Sequence, residues 1–133
     1  MVQTLPKNYA GIGSPLGIPL TWASDEIAAA DGDEKVLIDM SAAANATKQV
    51  AVAYFVGSHG AASALGETHL YSETATTSTP EFNWYGYYSA PPFTLDLYGA
   101  PWRVGVPGDD LMLERIVTTG VFHWLVGYFL IQT

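Results

Sequence analysis

Residues 120–133 read Gly-Val-Phe-His-Trp-Leu-Val-Gly-Tyr-Phe-Leu-Ile-Gln-Thr, the most hydrophobic stretch of the chain and one without formal charge when His123 is neutral. In an extended conformation Val121, His123, Leu125, Gly127, Phe129 and Ile131 take one side, and Phe122, Trp124, Val126, Tyr128 and Leu130 take the other. Both sides are apolar. An antiparallel strand with one wet face alternates apolar and polar residues, so a strand apolar on both sides needs a core on one side and a second surface on the other. A partner subunit is the surface expected.

A membrane-spanning helix is the competing reading, because residues 116–131 carry no charge. Spanning takes about 20 apolar residues, and this run is shorter, is interrupted by Gly120, Gly127, His123 and two threonines, and has no basic flank after it. Its β-branched and aromatic residues favour a strand.

The 133 residues fit one domain. About half are hydrophobic and 14% are charged, a globular composition. The net charge of −8 argues against nucleic acid and against anionic membranes, since both are bound through clustered Lys and Arg. Here Lys7, Lys35, Lys48, Arg103 and Arg115 are scattered. With no cysteine, neither a disulfide framework nor a thiolate metal site can form. The N-terminus lacks the basic and continuous apolar regions of a secretory signal, so the chain is expected to act where it is made or to be released by another route.

Residues 1–19 hold Pro6, Pro15, Pro19, Gly11, Gly13 and Gly17 among isolated apolar side chains. Proline withholds an amide donor and glycine resists ordering, which predicts an extended arm rather than a helix or central strand. A frayed terminus is the plainer alternative. Leu5, Tyr9, Ile12 and Leu16 would be the anchors of an arm that docks.

Residues 20–133 read as the domain proper. A first strand begins at 20–22, and residues 24–30 could add one helical turn capped by Ser24 and stopped by Gly32. Asp31, Asp33 and Glu34 suggest a calcium loop but lack the remaining ligands and distal glutamate of an EF-hand; a solvated acidic turn explains them. Residues 35–40 predict a strand with Val36 and Ile38 on one side and Leu37 on the other. An alanine-rich connection follows, in which Asn45-Ala46-Thr47 matches a glycosylation acceptor by chance. In the strand at 49–56, Val50, Val52, Tyr54 and Val56 share one side, and Gln49, Ala51, Ala53 and Phe55 the other. Small residues at 57–66 form a loop, 68–72 a short strand, and the Thr/Ser-rich 73–80 a surface loop or edge.

Residues 82–102 hold eight aromatic side chains, more than a small core needs. Among them Trp84, Tyr85, Tyr87 and Tyr88 join apolar bodies to polar tips, which suits protein interfaces and also sugar stacking. Further strands are expected at 102–106 and 111–118, with Asp109 and Asp110 solvated in the turn between them, and Thr118-Thr119-Gly120 making a hairpin into the closing strand. The eight or nine short strands predict an all-β fold, a single antiparallel β-sandwich or jelly roll with an extended N-terminal arm.

No catalytic or cofactor signature is present. His59, His69 and His123 match no zinc spacing, and Ser58 and Ser63 lack the Gly-x-Ser-x-Gly elbow, so neither enzyme, metal nor cofactor is expected.

The arm at 1–19 and the two-sided strand at 121–131 are the features through which the chain resembles, in plan, the small decoration or cement proteins of tailed-bacteriophage capsids and, more broadly, virion β-sandwich proteins. The resemblance implies a structural protein made in the host cytoplasm and seated on the capsid surface of the virion. It also implies a homo-oligomer, often a trimer, that contacts the major capsid protein. The interface residues expected are Leu5, Tyr9, Ile12, Leu16, Trp84, Tyr85, Tyr87, Tyr88, Phe122, Trp124 and Tyr128. A carbohydrate-binding β-sandwich using Trp84, Tyr85, Tyr87 and Tyr88 as a stacking platform is the alternative.

Overall fold

The computed structural model describes residues 17–28, 34–59, 65–73, 78–87, 92–115 and 121–133; for residues 59, 65–67 and 78–87 only the backbone is described. Nine strands are described: β1 (Thr21–Ile27), β2 (Glu34–Ile38), β3 (Lys48–His59), β4 (Leu65–Glu73), β5 (Ser78–Tyr87), β6 (Phe93–Asp96), β7 (Trp102–Arg103), β8 (Asp110–Arg115) and β9 (Phe122–Gln132). A 3-10 turn, Ala43–Asn45, precedes β3. The all-β expectation is met by two antiparallel sheets packed as a β-sandwich. The larger has the order β1-β9-β3-β6, with β7 also on β3, and the smaller β2-β8-β4-β5.

β9 is a central strand, paired along its length with β3 and on its other side with β1. Its inward residues Phe122, Trp124 and Val126 meet Ile27, Val50, Val52 and Phe55 from the same sheet and Leu70, Leu111 and Leu113 from the other. Burying an aliphatic or aromatic side chain of this size contributes about 1.5–3 kcal/mol, so this layer dominates the stability.

β1 continues to Ile27 where a helical turn at 24–30 was expected. Ser24, Asp25 and Glu26 pair in register with Leu125, Trp124 and His123, and a strand at the sheet edge outweighs a weak local capping preference. The acids then serve the edge. Asp25 accepts from the Glu26 amide at 2.8 Å and pairs with Lys35 at 3.3 Å, while Lys35 donates to the Glu26 carbonyl at 3.0 Å. This stitches β1 to β2 across the gap between the sheets and occupies edge groups that would otherwise template aggregation.

Two register irregularities overturn the expected face assignments. In β3 the pairing with β9 slips between Val52 and Tyr54, so Val50, Val52 and Phe55 face the core while Tyr54 and Val56 do not. In β2 the slip lies between Val36 and Ile38; Leu37 and Ile38 are both buried and Val36 is exposed. An extra residue in one strand inverts the alternation beyond it, which a strict two-residue period misses.

The expected hairpin from β8 into β9 does not form, because β8 pairs with β2 and β4 and β9 lies in the other sheet. The strand at 102–106 is only β7, two residues long, after which Val104 donates to the Val50 carbonyl at 2.9 Å and Gly105 turns away with φ 54°. Nor are Asp109 and Asp110 merely solvated. Asp109 is buried and accepts from the Val106 amide at 3.0 Å, and Asp110 accepts from the Met40 amide at 2.6 Å. Each carboxylate fixes a loop that has no ladder partner.

Candidate interaction face

The outer side of the larger sheet is built by the second face of β9. His123, Leu125, Gly127, Phe129 and Ile131 point away from the core, beside Trp22 from β1 and Tyr54 and Val56 from β3. Leu125, Phe129, Ile131, Tyr54 and Val56 are half-buried, and Trp22 is 43% exposed. The two-sided apolar strand read from the sequence is therefore present, with the core on one side and this surface on the other.

An aromatic row crosses the middle of the face. Trp22 and Tyr54 are both register partners of Gly127, and Asp96 from β6 is that of Tyr54. The six-membered ring of Trp22 lies against Gly127, where a side chain would meet Cζ3, Cη2 and Cε3 at once. Trp22 and Tyr54 meet edge to face at 6.0 Å between centroids, and Tyr98 continues the row at 6.1 Å from Tyr54. Aromatic pairs in such arrangements hold one another at roughly 0.5–1.5 kcal/mol beyond area burial, so the row is prearranged. Asp96 accepts from the Tyr98 amide at 3.3 Å, which ties the loop after β6 to the row.

A second row, nearer the end of the sheet, is polar. Glu26, His123 and Ser58 are register partners across β1, β9 and β3, and the Glu26 carboxylate lies 3.6 Å from His123 Nδ1. An open groove of about 390 Å³ on the β1 side is lined by Ser24, Asp25, Glu26, His123 and Trp124. An apolar groove of about 200 Å³ on the β3 side is lined in part by Val56, Ser58, Pro92 and Leu125. The acid, imidazole and hydroxyl stand in the order of a nucleophilic triad, but the acid and imidazole are each more than half exposed. Their separation exceeds a hydrogen bond, and a preorganised relay needs a tight, desolvated pair.

The smaller sheet carries a different outer face. His69 Nδ1 lies 3.7 Å from Glu114, and Tyr71 donates to the Glu34 carboxylate. Burial, and then the Glu34 carboxylate beside it, push the Tyr71 phenol far above the usual tyrosine value. Among the described residues no group of three or more His, Asp or Glu side chains is placed to hold a metal ion, and no helix is long and apolar enough to cross a membrane.

Of the expected interface residues, Phe122 and Trp124 are core side chains and Tyr128 packs partly against the core, so the exposed side of β9 is the opposite one. Parity decides this, since inward and outward sets looked equally apolar in the sequence. Trp84, Tyr85 and Tyr87 belong to β5, an edge strand, with only their backbone described; Tyr88, Leu5, Tyr9, Ile12 and Leu16 lie outside the described residues, as do Asp31 and Asp33. Trp22, Tyr54 and Tyr98 escaped sequence reasoning because they come from three distant segments. The isolated Trp22 at the start of a strand was the one available signal.

No protein-family model matches the chain, and no curated protein or solved structure matches it either.

Proposed function

We propose that this β-sandwich is a structural assembly component, a non-enzymatic decoration or cement protein that seats on a virion capsid and reinforces the shell through the major capsid protein and its own copies, with a trimer favoured. The observation that carries the proposal is the outward face of β9. Leu125, Phe129 and Ile131, with Val56 and Trp22, form a contiguous apolar surface turned away from the core, and such surfaces mark protein contacts. The strand orders β1-β9-β3-β6 and β2-β8-β4-β5 support reading the sandwich as a jelly roll, the eight-stranded, two-sheet plan of viral capsid and lectin domains. Fold alone assigns no function, so the weight rests on the face.

Light scattering of the full chain at low micromolar concentration should give a multiple of 14.3 kDa. Leu125→Asp, in the middle of the face, should reduce that mass to a monomer and abolish co-sedimentation with capsids. A wild-type monomer that ignores capsids would refute the proposal.

A carbohydrate-binding module is the second reading, favoured by one observation: Trp22 is seated against Gly127 and is 43% exposed on the outer side of the sheet, and an exposed, held aromatic ring suits sugar stacking. Sugar-dependent quenching of fluorescence that disappears in Trp22→Ala, with the mass unchanged, would select it.

A further inference from the structure

We propose that the row formed by Trp22, Tyr54 and Tyr98 receives residues 1–16 of a second copy of this chain. The inference rests on the assembly reading and names the occupant of its face.

The first argument is chemical complementarity. Rows of Trp and Tyr rings recognise extended, proline-bearing segments, because such segments carry little conformational entropy to lose and offer flat apolar surface to the rings. Residues 1–16 contain Pro6 and Pro15 with Leu5, Tyr9, Ile12 and Leu16 between and around them.

Charge points the same way. Asp96 shares the row with Tyr54, is exposed, and has no cation within ion-pair distance among the described residues. Covering it with an apolar partner would bury a carboxylate without compensation. Residues 1–16 bring Lys7 and no acid, whereas all thirteen acids of the chain lie further on. Another acidic surface of the same protein would be repelled, and this segment is not.

Direction and reach favour a second copy over the chain's own segment. The polypeptide enters β1 through Gly17, Ile18 and Pro19, all exposed, and Trp22 is the second residue of the strand. A segment leaving the start of β1 must turn onto the outer face and cross its own sheet to reach the row; one arriving from a neighbour need not. Sixteen extended residues span up to about 55 Å, more than the roughly 36 Å of an eleven-residue strand such as β9.

The test uses full-length protein in sedimentation velocity, with Trp22→Ala disabling the face and Tyr9→Asp disabling the segment. Each variant alone should fall to the monomer mass or dissociate at least tenfold more readily. An equimolar mixture should re-form a complex, because one variant keeps the segment and the other keeps the face. Asp96→Lys, at an exposed site, should weaken association and be rescued when Lys7→Glu is added, which separates docking from misfolding. Wild-type assembly that survives both single variants, or variants that fail to complement each other, would overturn this inference while leaving the assembly reading in place. A pyranose that quenches Trp22 without changing the mass would give the row to a sugar instead. A monomeric wild type would remove the assembly reading itself.

Discussion

Trp22 rests on Gly127: a Cβ built on that glycine would lie 2.7 Å from Cζ3 and 2.8 Å from Cη2 of the indole. The glycine makes room for an aromatic ring on the outside of the sheet. Gly57 does the same on the inside, where the Phe122 ring occupies the space of its missing side chain. One sheet thus admits a ring through each face, one sealed in the core and the other open to solvent.

Gly127→Ala should therefore displace Trp22 without unfolding the protein. The indole is exposed and can swing outward, so we expect a loss of less than about 1 kcal/mol, below the cost of overpacking a closed core. The near-ultraviolet circular dichroism of the Trp22–Tyr54 pair should change, and association should weaken as in Trp22→Ala. Unchanged association would show that the indole seated on Gly127 is not what the partner contacts.

Gly57→Ala should behave differently, because Phe122 is fully buried and cannot move outward. We expect about 2–3 kcal/mol of destabilisation from overpacking, read from the urea midpoint at constant slope. A change as small as that at Gly127 would mean that the core around Phe122 is looser than its burial implies.

Among the described residues Arg115 is the largest fully buried side chain, and it donates to the Ala28 carbonyl at 2.9 Å, linking β8 to the segment that leaves β1. Arg115→Ala removes that charge-assisted bond and leaves a cavity, so a loss of about 3 kcal/mol or more is expected. Arg115→Met restores volume without the bond and should recover part of it. Equal losses in the two variants would place the whole effect in the hydrogen bond.

Tyr71 gives the protein an alkaline limit. Burial and the Glu34 carboxylate raise its folded pKa above the unfolded value near 10. The folded state therefore keeps a proton that the unfolded state releases. That contribution is complete below about pH 10 and is lost as the pH climbs towards the folded value. Comparing urea midpoints at about pH 8 and about pH 11, Tyr71→Phe should lose less stability than the wild type over this interval. Parallel losses would show that Tyr71 contributes nothing to the alkaline transition.

The sequence by itself determined the class of fold and the two-sided character of β9. Period-two patterning, β-branched residues and turn chemistry are local, and they marked most of the strands. It did not determine which side of each strand faces inward. The extra residues in β2 and β3 invert the alternation, and only pairing with a neighbouring strand reveals a bulge. Nor could adjacency in the chain show that β8 and β9 belong to different sheets, since the hydrophobic pattern that makes a hairpin also makes a crossover. The acids at 25 and 26 looked like a helix start until β9 lay beside them, because the pairing that holds them spans about a hundred residues of chain. Tertiary structure alone brought Trp22, Tyr54, Tyr98 and Asp96 into one row. Residues from three distant segments share a surface only after two sheets have chosen their strand order, and that choice is made by burial of the common core.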